Sequence, residues 1–226
     1  MTHDSFSFFS RMRQMCFTRR AALGALLAAC ALGSTAVLTG CGPREPPFQN
    51  LDITGNSQFA HDFSLPDTSG TTRTLSDYKG KVIVLVFGYT HCPDVCPTTL
   101  AELAQTLQQL GPQDAKRVQV LFMTVDPQRD TASLLAHYVH AFDASFGALR
   151  PANDAQLKQV TNSFHISYTK NPAPPGTPPD NYTMTHTAVS LVFDASGKLR
   201  LLVRDGEGVT SWIHDLKLLL GLAQSG

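Results

Sequence analysis

The sequence predicts an α/β fold: a mixed β-sheet flanked by helices, preceded by an N-terminal β-hairpin extension. Three observations carry this. Two continuous apolar runs, "KVIVLVFGY" and "RVQVLFMTV", are rich in β-branched residues, as strands buried on both faces are, and a helix-patterned segment lies between them. Two further strand patterns, "TAVSLVFD" and "KLRLLVR", are joined only by Ala195-Ser196-Gly197, so they must pair antiparallel. The closing "VTSWIHDLKLLLGLA" is amphipathic at helical period.

Each element has its own signal. "FSLPDTSGTTRTL" alternates, turns at Ser69-Gly70 and alternates again, which predicts the hairpin and opens the domain near Phe59. The first buried strand covers 81–87. From Pro97 to Leu110 the apolar residues Leu100, Leu103, Leu107 and Leu110 recur at helical spacing, and Gly111-Pro112 stops the helix. The second buried strand covers 118–125, so the strand–helix–strand unit is expected to be right-handed. Asp130-Thr131 caps a helix running to about Phe142, and Asn153-Asp154 another running to about Phe164. "NPAPPGTPPDNYTMTH" holds too few apolar residues for an element and reads as a long Pro-rich loop. No internal repeat or second domain is visible. A pair of cysteines at the first strand-to-helix junction makes the whole a thioredoxin-like plan.

The ends carry an address. Arg11, Arg13, Arg19 and Arg20 form a basic start, and an apolar stretch from Ala21 to Leu38 leads to Gly40-Cys41. This is the pattern of an export signal over 1–40, and Leu38-Thr39-Gly40-Cys41 resembles a bacterial lipobox in which Cys41 is the lipidated first residue. A single membrane-spanning anchor is the alternative, since the stretch just reaches bilayer length. Either reading places the remainder outside the cytoplasm, tied to a bacterial membrane and facing the periplasm or cell exterior. Arg19-Arg20 also resembles a twin-arginine signal. Residues 41–58, polar and rich in Pro and Gly, suit a flexible tether, and 59–226 form one domain. The whole chain has 18 basic and 18 acidic residues, with no cluster of positive charge to suggest nucleic acid.

Beyond the signal and Cys41, only Cys92 and Cys96 remain as thiols. In an oxidising compartment a lone pair is by default a disulfide. Their place, just past the carboxyl end of a central strand at the start of a helix, argues for more. A helix N-terminus favours anions and lowers a thiol's pKa, which serves redox or metal chemistry and gives a structural staple nothing. Residues at i and i+4 share a helix face, so both sulfurs are expected to point at one spot. Thioredoxin-type oxidoreductases use two intervening residues, whereas Pro93, Asp94 and Val95 make three here.

Two sulfurs leave a metal short of ligands. His137, His140 and His214 lie on expected helices, and solvent-facing or packing roles are the default for each. His61 and His165 have no evident partner, and His91 adjoins Cys92 but is expected to diverge from it. His186 differs in place. It immediately precedes the strand "TAVSLVFD", whose start faces the cysteines in a thioredoxin-like sheet, where oxidoreductases of that fold usually carry a cis-proline. Two thiolates and one imidazole select Cu(I), a soft ion content with three ligands, whereas a structural zinc site wants a fourth. Met184 is a candidate extra donor.

"GYTHCPDVCPTTL", "TVDPQRDT" at 124–131 and the His186 strand together resemble the Sco/SenC family of copper proteins. The resemblance runs from about Phe59 to the last helix. It implies a thioredoxin-like fold, one copper held by Cys92, Cys96 and His186, and a role at the dinuclear copper site of cytochrome c oxidase subunit II. It also implies that Cys92 and Cys96 pair as a disulfide when oxidised, and that Asp126 and Arg129 fix the loop following their strand. Many members have an acidic residue directly before the ligand histidine, where this sequence has Thr185. That removes one acceptor that would orient the imidazole, and with it some affinity for Cu(II).

Two functions follow. One is a membrane-tethered copper chaperone in which copper passes to an acceptor by ligand exchange, supplied by a periplasmic donor, with 170–185 as a mobile flap. The other is a thiol–disulfide reductase that keeps the partner's copper-ligand cysteines reduced and draws on a thiol reductant. A peroxidase is a distant third, because the cysteine of peroxiredoxin-like proteins sits in a different local sequence.

Overall fold

The computed structural model describes residues 48–59 and 62–222. Its centre is a six-stranded mixed sheet in the order β1-β10-β9-β4-β5-β6. These are β1 (Leu51–Asp52), β4 (Val82–Gly88), β5 (Val118–Thr124), β6 (Gly147–Leu149), β9 (Val189–Phe193) and β10 (Leu199–Arg204). The chain's other strands form two ribbons: β2 (Leu65–Pro66) with β3 (Thr72–Arg73), and β7 (Tyr168–Asn171) with β8 (Thr183–His186). The helices are α1 (Val95–Leu110), α2 (Pro112–Ala115), α3 (Ala132–His140), α4 (Asp154–Ser163) and α5 (Val209–Leu222). The expected α/β architecture, a mixed sheet between helices, is the one observed.

Strand β4 shows why the sheet must be covered on both sides. Val82, Val84 and Val86 point into one core layer with Leu100, Leu103, Phe122, Leu135, Trp212 and Leu216. Ile83, Leu85 and Phe87 point into the other, with Leu121, Leu157, Phe164 and Phe193. Side chains alternate across a strand, so the unbroken apolar run commits the chain to α1, α3 and α5 on one face and α4 on the other. Each such side chain contributes roughly 1.5–3 kcal/mol by leaving water. β4 pairs parallel with β5 and antiparallel with β9, which makes the sheet mixed.

The structure departs from the sequence reading in three places. The Pro-rich segment is not a plain loop: its last four residues form β8, which pairs with β7 at and just before its start, with Tyr168 opposite His186 and Asn171 opposite Thr183. One face of this ribbon is exposed, so its residues are mostly polar and carry no strand pattern. The short β6 was also hidden, because three residues leave no period to read. Finally, of the segment expected as a tether over 41–58, the described residues from Phe48 on belong to the compact unit, and Leu51 and Asp52 pair with Leu202 and Leu201. The expected export signal, its anchor stretch and Cys41 lie outside the described residues. Among the described residues no helix is long and apolar enough to cross a membrane.

The start of this segment, before its strand, is anchored on one buried carboxylate. Asp215 of α5 accepts the backbone N–H of Gln49 at 2.8 Å and of Asn50 at 3.0 Å, the Asn50 side-chain amide at 2.8 Å, and His214 Nδ1–H at 2.8 Å. It is 1% exposed. Replacing it strands two backbone N–H donors at once and takes a partner from the Asn50 amide and from His214. Asp215→Ala is expected to lower the unfolding free energy by about 2–4 kcal/mol and to free the amides of 49–52 for hydrogen exchange. Urea denaturation and exchange mapping check both.

Candidate metal centre

β4 delivers the site and a six-residue turn shapes it. Thr90 is pinned by Asp130, whose carboxylate accepts Thr90 N–H at 3.1 Å and Thr90 Oγ–H at 2.6 Å, and the Thr124 hydroxyl beside them. Cys92 N–H then donates to the Tyr89 carbonyl at 3.2 Å. The helix starts at Val95, so Cys92 precedes it and does not share a helix face with Cys96. Instead its sulfur does a cap's work: the Asp94 side chain makes no capping bond, and Cys96 N–H points at Cys92 Sγ, 3.5 Å away. Cys92 is partly exposed and Cys96 buried, and both are free thiols.

Cys96 can tuck in only because residue 88 has no side chain. A Cβ on Gly88 would stand 2.7 Å from Cys96 Sγ and 2.8 Å from the Phe122 ring. A glycine ending a valine-rich strand marks such an approach, a signal the sequence reading left unused.

The hairpin ribbon brings in the third donor. In β8, Thr183 and Thr185 face outward while Met184 and His186 face inward. His186 Nδ1 lies 3.0 Å from the Thr187 carbonyl, which only accepts, so Nδ1 carries the proton. In the neutral ring that leaves Nε2 with its lone pair as an acceptor, turned to Cys96 Sγ at 3.8 Å. The Tyr89 ring meets the imidazole edge-on at 6.1 Å. Thr185 hydrogen-bonds to Asn171 Nδ2 at 2.8 Å on the outer face. A backbone carbonyl thus orients the imidazole, the task an acidic residue at 185 would have served.

The two thiols are made unequal. The hydrogen bond from the Cys96 thiol pulls Cys92 down to about 5 against its partial burial, helped by the backbone N–H groups of Asp94 and Cys96 and by the nearby His186. The same hydrogen bond, then burial, pushes Cys96 up. Burial also lifts Asp205 to about 7, and the negative charge of Cys92 adds to the effect. The arrangement is one exposed thiolate, one buried thiol and one imidazole nitrogen.

Other candidates lie apart from this group. Met184 packs against the second core layer. His91 is exposed and hydrogen-bonds to Thr90 Oγ at 3.0 Å. His165, the described non-glycine residue with positive φ at 55°, bonds through Nε2 to the Gln58 carbonyl at 2.9 Å. His137 and His140 sit in the last turn of α3, His214 serves Asp215, and His61 is outside the described residues. Among the described residues no three His, Cys, Asp or Glu side chains already close around a common point in ligand geometry. The donors are adjacent but not yet caged.

The SCO1/SenC family model matches residues 52–221. The chain belongs to the SCO1/SenC family. This SCO1/SenC chain is 41% identical over 112 residues to the mitochondrial protein SCO2 homolog of Bos taurus, a stretch covering 49% of the chain and 42% of that relative. The match to the SCO2-like protein of Rickettsia felis is 33% over 157 residues, covering 69% of the chain and 75% of the relative. Two solved structures share its fold: Bradyrhizobium japonicum ScoI with copper bound (34% identity, TM-score 0.61, 70% of this chain and 98% of that one) and apo Sco1 from Thermus thermophilus (33%, 0.64, 76% and 99%). Their thioredoxin-like plan is the one the sheet order of this SCO1/SenC domain follows.

Two outcomes are expected. Gly88→Ala forces Cys96 Sγ or Phe122 to move, lowering stability by about 1–3 kcal/mol, read by urea denaturation. Alkylation of the reduced chain by iodoacetamide should modify Cys92 with a midpoint near pH 5, fast above it and slow below it, while Cys96 stays unmodified; mass spectrometry across pH checks this.

Proposed function

We propose that this SCO1/SenC protein is an exported copper chaperone that carries one copper ion on Cys92, Cys96 and His186. Its acceptor is the dinuclear copper site of cytochrome c oxidase subunit II, and copper passes on by ligand exchange. The observation that carries the reading is the unprotonated Nε2 of His186 turned to Cys96 Sγ at 3.8 Å, with its tautomer set by the Thr187 carbonyl. Two sulfurs and one imidazole suit Cu(I) better than zinc, which would ask for a fourth fixed donor. The copper-bound B. japonicum relative supports the choice of metal. Drawn down to about 5, the Cys92 thiol is already a thiolate at neutral pH without a metal's help, so it would meet the ion deprotonated. In this reading Leu38–Cys41, which resembles a lipobox, supplies a lipid anchor on Cys41 that ties the protein to a membrane, with a periplasmic copper donor and a thiol reductant as further partners.

One observation favours a second role at the same site. A partly exposed thiolate backed by a buried thiol is also a thiol–disulfide reductase pair. Cys92 would attack a partner disulfide, releasing one partner thiolate and forming a mixed disulfide. Cys96 would then attack the Cys92 sulfur, releasing the second partner thiol and leaving Cys92–Cys96 oxidised, with two electrons passed to the partner.

Titrating the reduced chain anaerobically with Cu(I) against a chelator of known affinity should show one tight site. His186→Ala should weaken it at least about tenfold and Cys96→Ser about a hundredfold or more. Parental affinity in His186→Ala would remove the three-ligand site. Reduction of an oxidised subunit II domain would then be the activity to measure.

A further inference from the structure

The ribbon that presents His186 is not part of the main sheet. Two strands alone are marginally stable in water, so something else must place them. At the base, Thr187 N–H donates to the Ser167 carbonyl at 2.9 Å and Ser167 N–H to Thr187 Oγ at 3.0 Å. At the other end a denser contact crosses to the segment after β5. Arg129 Nε donates to Asp126 Oδ2 at 2.6 Å, while its Nη1 reaches the carbonyls of Asp180 at 2.9 Å and Tyr182 at 2.8 Å. The guanidinium lies 3.4 Å from the centre of the Tyr182 ring, and Lys170 Nζ 3.7 Å from it. The Tyr182 hydroxyl donates to Asp126 Oδ1 at 2.8 Å, so both carboxylate oxygens are engaged. Asp126 is 4% and Tyr182 7% exposed. Arg129 also stands 5.8 Å from the Tyr89 ring, which abuts the imidazole.

We propose that Arg129, Asp126 and Tyr182 are positioning residues for the third metal donor: together they peg the β7–β8 ribbon and so set where His186 Nε2 stands against Cys96. The inference rests on the three-ligand reading and deepens it. Asp126 and Arg129 were expected to fix only the loop of their own strand, whereas their bonds run across to the ribbon. An extended strand rises about 3.3 Å per residue, so the peg at Tyr182 holds β8 roughly 13 Å from His186. It acts through the histidine and touches no metal. A ribbon released from the peg spends less time in the binding-competent position, and apparent affinity falls by that fraction. The loss has a ceiling, because a ribbon that never docks binds metal no worse than a chain lacking His186.

The test is a cycle on the full chain. Tyr182→Phe removes only the hydroxyl and keeps the ring under the cations; Arg129→Lys keeps a cation beside Asp126 but loses the fork that spans two carbonyls. Each is made alone and with His186→Ala, and Cu(I) affinity is measured by chelator competition. Amide exchange of the metal-free chain is measured in parallel. The expected result is about a tenfold loss for Tyr182→Phe, no further loss when His186 is already Ala, and faster exchange at Thr183–His186 with β9 unchanged. Equal loss in both backgrounds overturns the proposal, since the effect then bypasses His186. So does parental affinity and exchange in both peg variants while His186→Ala weakens binding. If His186→Ala alone changes nothing, the three-ligand reading has failed, and the peg's role toward metal falls with it.

Discussion

The sulfur of Cys96 occupies the space that a side chain at residue 88 would fill. Because Gly88 leaves it open, the first turn of α1 closes onto the end of β4 and the thiol is shielded from water. From there the site builds outward. The Cys96 thiol draws the Cys92 thiol beside it down to about 5, which is why Cys92 holds negative charge at a pH where a free thiol would not. The start of α1 adds N–H groups to the same sulfur. The asymmetry of the pair is a packing consequence first and an electrostatic one second.

The site joins two mechanical regimes. Cys96 rides on α1 and Cys92 on the turn that joins it to β4; both elements are fixed by the core, and the turn is tied to Asp130, itself held by Thr90 and Thr124. The histidine rides on a ribbon whose outer face is solvent and which is secured at a few points. Under the proposed copper-carrying function that division would be useful: Cys92 and Cys96 would supply the sulfur donors from the rigid part, and the donor most easily withdrawn would be the histidine on the ribbon. The carbonyl of Thr187 keeps the imidazole in a ligand-ready tautomer throughout.

How much could be read beforehand depended on where the information lies in the chain. β4, β5, α1 and α5 were legible because burial on a whole face imprints a period over seven or more residues. β6, β7 and β8 were not: three or four residues leave no such imprint, and half of those in β7 and β8 are in solvent. The cysteine pair was visible in its spacing and place, and His186 in its position before β9. The orienting acceptor was invisible because a backbone carbonyl has no letter of its own. Tyr182 and Asp126 were hidden for another reason, since their contact links residues 56 apart in sequence. The entry segment was missed likewise: the polar run before Ile53 looks like a tether until its partner, Asp215, is seen 165 residues away.

The two rims of the sheet have a meaning for the protein's life in a crowded compartment. A long open edge is a template on which another chain can add a strand, and aggregation begins there. Here one rim is the two-residue β1, and the other is the three-residue β6, over which the β2–β3 hairpin folds: Asp67 bridges to Leu149, and Arg150 N–H donates to the Pro66 carbonyl at 2.9 Å. Neither stub offers a run of free donors and acceptors to a neighbour. The hairpin that seemed mere decoration at the start of the domain is a hem, stitched along the side where the sheet would otherwise unravel into its neighbours.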